Sequence, residues 1–279
     1  MTTLTVRKLQ IDLSPGFDRH WHGGDAFRSQ YYNALSMSFP VGEQSFIDSV
    51  RDGLALLPDT TEYAELRADV AQFIGQEATH RHVHGLYNDQ LEKQGLVNRW
   101  QHWATRRIEY GRAHKVGPLH LLAITAAYEH CTAVFAEGTL RYGSWFDAAE
   151  PRMRTLWRWH AAEETEHRAV AFDLYQALGG NYLWRIRWYL YVLVLFSLDA
   201  TRQTVLNLWR DGTLFKPGTW WSAATFFFGR DGMVWRCTRP MLQYFRRDFH
   251  PDQEHLQPAA QRLAGEWLQA HTGSYRVVR

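Results

Sequence analysis

The chain has 279 residues, 46% hydrophobic and 15% aromatic, with 31 Lys and Arg against 29 Asp and Glu. That length and apolar share suffice for a large core in one big domain or a domain with an extension, and a nearly balanced charge with no separate basic block leaves no nucleic-acid footprint. Two distant cysteines, Cys131 and Cys237, without C-x-x-C spacing argue against a disulfide framework; with no apolar h-region at the start, the expected location is the cytosol.

Residues 1–24 read as an irregular arm. Asp25 is placed to cap a helix to about Ser38, where Phe39-Pro40 is expected to kink or restart it before a continuation from Val41 to Leu57. On that continuation Glu43 shares the apolar stripe with Phe39, Phe46, Val50 and Leu54. Asp59 and Glu62 have the spacing of a capping box ahead of a second helix that runs to Gln94 and stops at Gly95. Its stripe is Leu66, Val70, Phe73, Glu77, His80, His84, Tyr87 and Leu91.

A helical stretch from Val97 ends at Gly117, and Pro118 opens a third long helix to about Tyr142. Its stripe holds Glu129 as the single charge among Leu122, Ala126, Ala133 and Ala136. The fourth long helix is expected from Glu150-Pro151 to Gly179-Gly180, with His160, Glu164 and His167 on the face of Met153, Trp157, Ala171 and Leu174. The organisation predicted is an all-α, four-helix bundle over 25–180, with additional helices in an aromatic-rich C-terminal layer over 181–279. Its uncharged run Trp188–Leu198 is shorter than the ~20 residues that span a bilayer. The layer either covers the bundle or forms a dimer interface, or it lies on a membrane or admits a hydrophobic substrate. A last helix, about Gln257 to His271, reads as ordinary surface structure.

Charged and imidazole groups on core-facing stripes need a partner. The set repeats: 34 residues separate Glu43 from Glu77, and 35 separate Glu129 from Glu164. Each half is a helix with one Glu followed by a helix with Glu-x-x-His, namely Glu77-x-x-His80 and Glu164-x-x-His167. A dinuclear carboxylate site in a four-helix bundle uses this formula, and two divalent cations cancel four buried carboxylates. A carboxylate-rich N/O set without cysteine suits iron first, with manganese and zinc as alternatives. His84 and His160 share the faces without belonging to the formula, either as hydrogen-bond partners of the ligands or as extra ligands. Glu163 competes with Glu164 for the ligand role, and the i,i+3 spacing favours Glu164.

The sequence resembles the ferritin-like di-metal carboxylate superfamily and, more closely, the bacterial family of predicted metal-dependent hydrolases. The segments that carry the resemblance are Trp21-His-Gly-Gly-Asp25, Asn33-Ala-Leu-Ser36 with Phe39-Pro-Val-Gly-Glu43, Gln76-Glu-Ala-Thr-His80, His160 through His167, and Tyr244-Phe-Arg-Arg-Asp-Phe-His-Pro251. It implies a ferritin-like bundle and a metal-dependent activity.

Two functions stay open, with the first put ahead of the second. One is an iron or manganese/iron oxidoreductase acting on a small hydrophobic substrate that enters beside the alanine-rich face around Glu129. The other is a di-metal hydrolase in which Glu163 or His160 acts as general base on an activated water. Peripheral contact with the inner face of the membrane and a homodimer are the further expectations about partners.

Overall fold

In the computed structural model, which describes residues 4–253 and 259–278, the arm contributes a short strand, β1 (Arg7–Leu9), before the first long helix, α1 (Ala26–Leu54). Asp25 caps α1 by accepting from the Arg28 amide at 3.0 Å. Such a cap contributes ~1 kcal/mol.

Pro40 lies inside α1 and does not end it. A proline within a helix leaves the carbonyl four residues earlier without its N–H partner. Here that carbonyl, Ser36 O, accepts from the Asn88 side-chain amide at 3.0 Å. The second helix therefore repairs the first, which the local sequence of α1 does not announce.

α2 (Ala64–Lys93) follows a 3-10 turn over Thr61–Tyr63, and no side chain caps it. The expected capping box is not formed; Asp59 stands 3.5 Å from Arg67 instead. Gly95, at φ 86°, stops the helix as foreseen. α3 (Arg99–Ala113) is tied down by Gln203, whose side-chain oxygen accepts from the Arg99 and Trp100 amides at 2.9 Å. Pro118 then opens α4 (Pro118–Arg141).

The fourth long helix comes in two pieces, α5 (Pro151–His167) and α6 (Val170–Ala177), separated by a turn at Arg168–Ala169. No Gly or Pro marks the break. Arg168 is buried there and reaches Asp252 at 3.0 Å, so a contact distant in sequence accompanies the interruption.

α1 packs on α2, and α4 packs on α5 and α6; contacts of α1 with α4 and of α2 with α5 and α6 close the ring. Gly53 sits where a Cβ would stand 2.6 Å from Leu122, which keeps α1 and α4 close. Apolar residues form two clusters along the bundle. One holds Leu35, Val83, Tyr87 and Trp157; the other holds Phe46, Phe73, Leu122 and Leu174. Glu43, Glu77, His80, Glu164 and His167 fall between the two in the order of their helices.

α7 (Tyr182–Arg210) lies against α1 and α4, followed by α8 (Pro217–Phe228) and α9 (Met233–Gln243). α10 (Ala260–Ala270) is no ordinary surface helix, because Ala260, Ala264, Trp267 and Leu268 are buried and it packs on α5 and α4. Gln257, its expected first residue, lies outside the described residues. The chain then forms β2 (Tyr275–Val277), antiparallel to β1 with Arg7 opposite Val277. The arm is thus partly a strand, pinned by residues that follow it by more than 260 positions. A surface of α7, α8, α9 and their connections exposes Trp184, Tyr191, Trp209, Phe215, Trp221 and Trp235.

Candidate metal centre

The polar layer gathers Glu43 from α1, Glu77, His80 and His84 from α2, Glu129 from α4, and His160, Glu163, Glu164 and His167 from α5. All nine are buried, none more than 4% exposed. On α2 and α5 the four-three spacing puts these groups on the inward stripe, so the apolar neighbours that drive the helices together also drive the polar groups together.

The six residues of the duplicated formula converge. His167 Nε2 stands 3.2 Å from Glu77, 3.3 Å from Glu129 and 3.6 Å from Glu164. His80 Nδ1 stands 3.6 Å from Glu164 and 3.8 Å from Glu77. Glu43 completes a group with Glu77 and His80 whose ligand atoms lie within 4.8 Å of one another, and Glu77, Glu164 and His167 form a second such group. Both groups use Glu77, so they share a wall.

Unpartnered atoms test whether this set fits a pair of cations. Both carboxylate oxygens of Glu43, Glu77 and Glu129, one oxygen of Glu164, His80 Nδ1 and His167 Nε2 are buried without a hydrogen-bond partner. Leaving one such group unpaired costs about 1–3 kcal/mol, and more when it is charged. So many in one layer are what a metal site presents to its ions, and the residues fit.

The electrostatics agree. Burial, with the nearby Glu77 carboxylate, pushes Glu43 well above the usual carboxylate range. Burial raises Glu77 too, and pushes Glu129 up to about 8. Burial also opposes ionisation of Glu164, yet the imidazoles of His167, His160 and His80 outweigh it and hold that carboxyl well below its ordinary value.

Both ligand histidines are preset by the residue before the other half's glutamate. Gln76 donates its amide to Glu166 at 2.9 Å and to the Thr5 carbonyl at 3.0 Å, so its oxygen is the atom facing His167 Nδ1, also at 2.9 Å. Gln76 thereby accepts from Nδ1 and leaves Nε2 as the nitrogen that faces the carboxylates. Burial opposes the charged form of His167, yet Glu164, Glu129 and Glu77 hold it well above the ordinary imidazole range, so an ion would displace the Nε2 proton. Glu163 accepts in the same way from His80 Nε2 at 3.0 Å, leaving Nδ1 inward. Arg7 braces this layer, reaching Glu163 at 3.3 Å and Glu166 at 2.7 and 3.0 Å. Gly75 lets the arm lie this close, since a Cβ there would stand 2.4 Å from Val6.

Several expectations shift accordingly. Glu163, expected as a general base, has its carboxylate between the His80 ring and Arg7, accepting from both. His160, the other expected base, hydrogen-bonds Glu164 at 2.8 Å and stacks on His80 at 4.3 Å. Asp173, five residues beyond Arg168, pairs with His250 at 2.7 Å, and Gln76 is the residue that supports His167. Tyr87 donates to Asn33, and Cys131 is buried.

The alanine-rich face around Glu129 is closed, with Ala126, Ala133 and Ala136 all buried. A cavity of about 350 Å³ lies on another side of α4, lined by Cys131, Phe135, Tyr189, Phe196 and Met241. The residues that sequence reasoning missed are Arg7, Gln76 and Glu166. Gln76 had a signal: it precedes Glu77 by one place, as Glu163 precedes Glu164, so the repeat extends one residue further back. Arg7 had none, because its partners lie 156 and 159 residues away.

A buried layer of carboxylates and pre-oriented imidazoles inside an all-α bundle defines a metal-dependent protein. The model of the family described as predicted metal-dependent hydrolases matches residues 5–255. The chain belongs to that family. No curated protein and no solved structure matches it.

Proposed function

We propose that the protein is a dinuclear metal-dependent hydrolase. Glu43, Glu77 and His80 would hold one ion and Glu129, Glu164 and His167 the other, with Glu77 and Glu164 facing both. The observation that carries the reading is the convergence of unpartnered, buried ligand atoms on the duplicated formula in a chain of this family. A pair of divalent cations held there would supply a water of lowered pKa and a Lewis acid toward a carbonyl or phosphoryl oxygen. The protein's own part is positional. Gln76 and Glu163 fix which imidazole nitrogen faces inward, and the apolar clusters on either side exclude water and sharpen every electrostatic interaction within the layer.

A second reading, oxygen-dependent oxidation at an iron pair, is supported by the donor set of four carboxylates and two imidazoles without a thiolate. Metal analysis after anaerobic, iron-replete purification separates the two. Two zinc or other redox-inert ions with chelator-sensitive cleavage of nitrophenyl esters or phosphoesters supports hydrolysis. Two irons with oxygen uptake and no hydrolysis of any ester overturns it. In either case Glu77→Ala combined with Glu164→Ala is expected to abolish metal binding, and retention of two ions refutes the ligand set.

The exposed aromatic face of α7–α9, interspersed with arginines, fits a peripheral membrane contact from which a hydrophobic substrate is collected. Liposome flotation tests this, and a chain that stays wholly in the soluble fraction removes it.

A further inference from the structure

Beside the dinuclear set, Ser36, His84, Asn88 and His160 form a chain of hydrogen bonds whose polarity is fixed at both ends. Asn88 donates its amide to the Ser36 carbonyl left free by Pro40, so the Asn88 oxygen is the atom that accepts from Ser36 Oγ at 2.9 Å. With its proton committed there, Ser36 Oγ accepts from His84 Nδ1, also at 2.9 Å. The His84 proton is therefore on Nδ1, and Nε2 carries a lone pair. At the other end, Glu164 accepts from His160 Nε2 at 2.8 Å. A singly protonated His160 then has its lone pair on Nδ1. These two lone-pair atoms, His84 Nε2 and His160 Nδ1, face each other at 2.7 Å.

Two acceptors at that distance repel unless a cation joins them. The Glu43 carboxylate has both oxygens buried and unpartnered, and one ligand atom from each of Glu43, His84 and His160 lies within 4.8 Å of the others. Phe39 packs on both rings, at 4.5 Å from His84 and 4.7 Å from His160, and Trp157 closes on His84 at 5.4 Å. Ligand atoms 2.0–2.1 Å from a zinc-sized ion stand about 3.3 Å apart, a small opening of the present pair.

The other half of the bundle shows that the fold does not require these imidazoles. At the repeat spacing of 87 residues that relates Glu77 to Glu164 and His80 to His167, His84 corresponds to Ala171 and His160 to Phe73. Both counterparts are fully buried, and Phe73 meets His167 edge-on at the place where His160 stacks on His80.

We propose that Glu43, His84 and His160 form a third, histidine-rich cation site adjoining the dinuclear pair, with Glu43 turned toward both. It rests on the dinuclear reading above. Glu164, His160 and the ion make a carboxylate–histidine–metal triad, and Asn88 with Ser36 does for His84 what Glu164 does for His160. Three divalent ions against four carboxylates leave two positive charges, so the third binds in a separate, weaker step together with hydroxide or an anionic substrate.

The test is a cobalt(II) titration of metal-free protein, with bound ions counted by mass spectrometry after gel filtration. The wild type is expected to take three ions per chain, two tightly and one about tenfold or more weakly. His84→Ala with His160→Phe, which copies the other half, is expected to keep the two tight ions and lose the third. Should that pair disturb folding, as judged by its melting curve, His84→Gln keeps a polar group toward Ser36 and removes the imidazole lone pair. Two ions in the wild type overturn the third site and assign a shared proton to the His84–His160 contact. Fewer than two overturn the dinuclear reading itself.

Discussion

Beside His80 the centre is walled by His160, stacked at 4.3 Å, and beside His167 by the edge of Phe73 at 4.9 Å. The supports differ as well. His80 is held by the Glu163 carboxylate, itself braced by Arg7, whereas His167 is held by the neutral amide of Gln76. A single formula is thus realised once with charge and extra imidazoles around it, and once with a neutral amide and a phenyl ring. The apolar version shows what the bundle needs to stand. The polar version shows what has been added, and chemistry belongs on the side where the additions are.

Metal affinity of the supporting variants breaks this comparison most directly. Loss of an outer partner of a metal-bound histidine costs roughly 10–100-fold in affinity. Glu163→Leu is expected near the upper end, because it removes a charged acceptor and leaves Arg7 short of one partner. Gln76→Leu is expected near the lower end. Competition with a fluorescent chelator measures both, and an equal loss in the two variants means that the charge on Glu163 carries no special weight.

The second test concerns the Pro40 repair, which belongs to the histidine-rich side alone. Asn88→Ala strips the Ser36 carbonyl of its donor, a loss of about 1–3 kcal/mol for a buried unpaired group. Adding Pro40→Ala returns a backbone N–H to that carbonyl and is expected to recover part of the loss in urea unfolding. If the double variant is no more stable than the single one, Asn88 does not substitute for the missing N–H.

A smaller effect is expected from pH in metal-free protein. Glu129, raised from 4.5 to about 8 in the folded chain, binds a proton there that the unfolded chain has released. Its contribution is full below 4.5 and is lost as pH climbs through 8. His160, lowered from 6.5 to about 4, works the other way below 6.5, where the unfolded chain binds the extra proton. Between pH 6.5 and 8 the carboxylate effect is unopposed by His160, and the melting temperature of chelator-treated protein is expected to fall by a few degrees. Cations replace those protons in the loaded protein, so its curve should stay flat or rise; parallel decline of both curves would separate the carboxylates from the metal.

The centre was legible in the sequence because its formula is periodic. Glu43, Glu77, His80, Glu129, Glu164 and His167 announced themselves as polar interruptions of apolar stripes, and the structure brings all six together. The same periodicity hid the turn at Arg168–Ala169, since the pattern continues across it without a breaker. Pro40 had the opposite fault: a strong local breaker was overruled by Asn88, 48 residues further on. Supports such as Arg7 and Asn88 act through a few hydrogen bonds to residues distant in sequence and leave no period to detect. His84 and His160 were visible, but their roles turn on which nitrogen holds the proton, which the Asn88–Ser36 chain decides for His84 and Glu164 for His160.

The pairing of β1 with β2 has a consequence for biogenesis. Arg7, the brace of Glu163 and Glu166, sits on a strand whose partner spans Tyr275–Val277. During synthesis every proposed ligand therefore leaves the ribosome long before the strand that fixes the arm over the layer. Until then the arm has no sheet partner, and the helices can collapse around an accessible polar seam. Pairing of the arm with its strand is therefore a late event in the life of each molecule, after all the proposed ligands have been made.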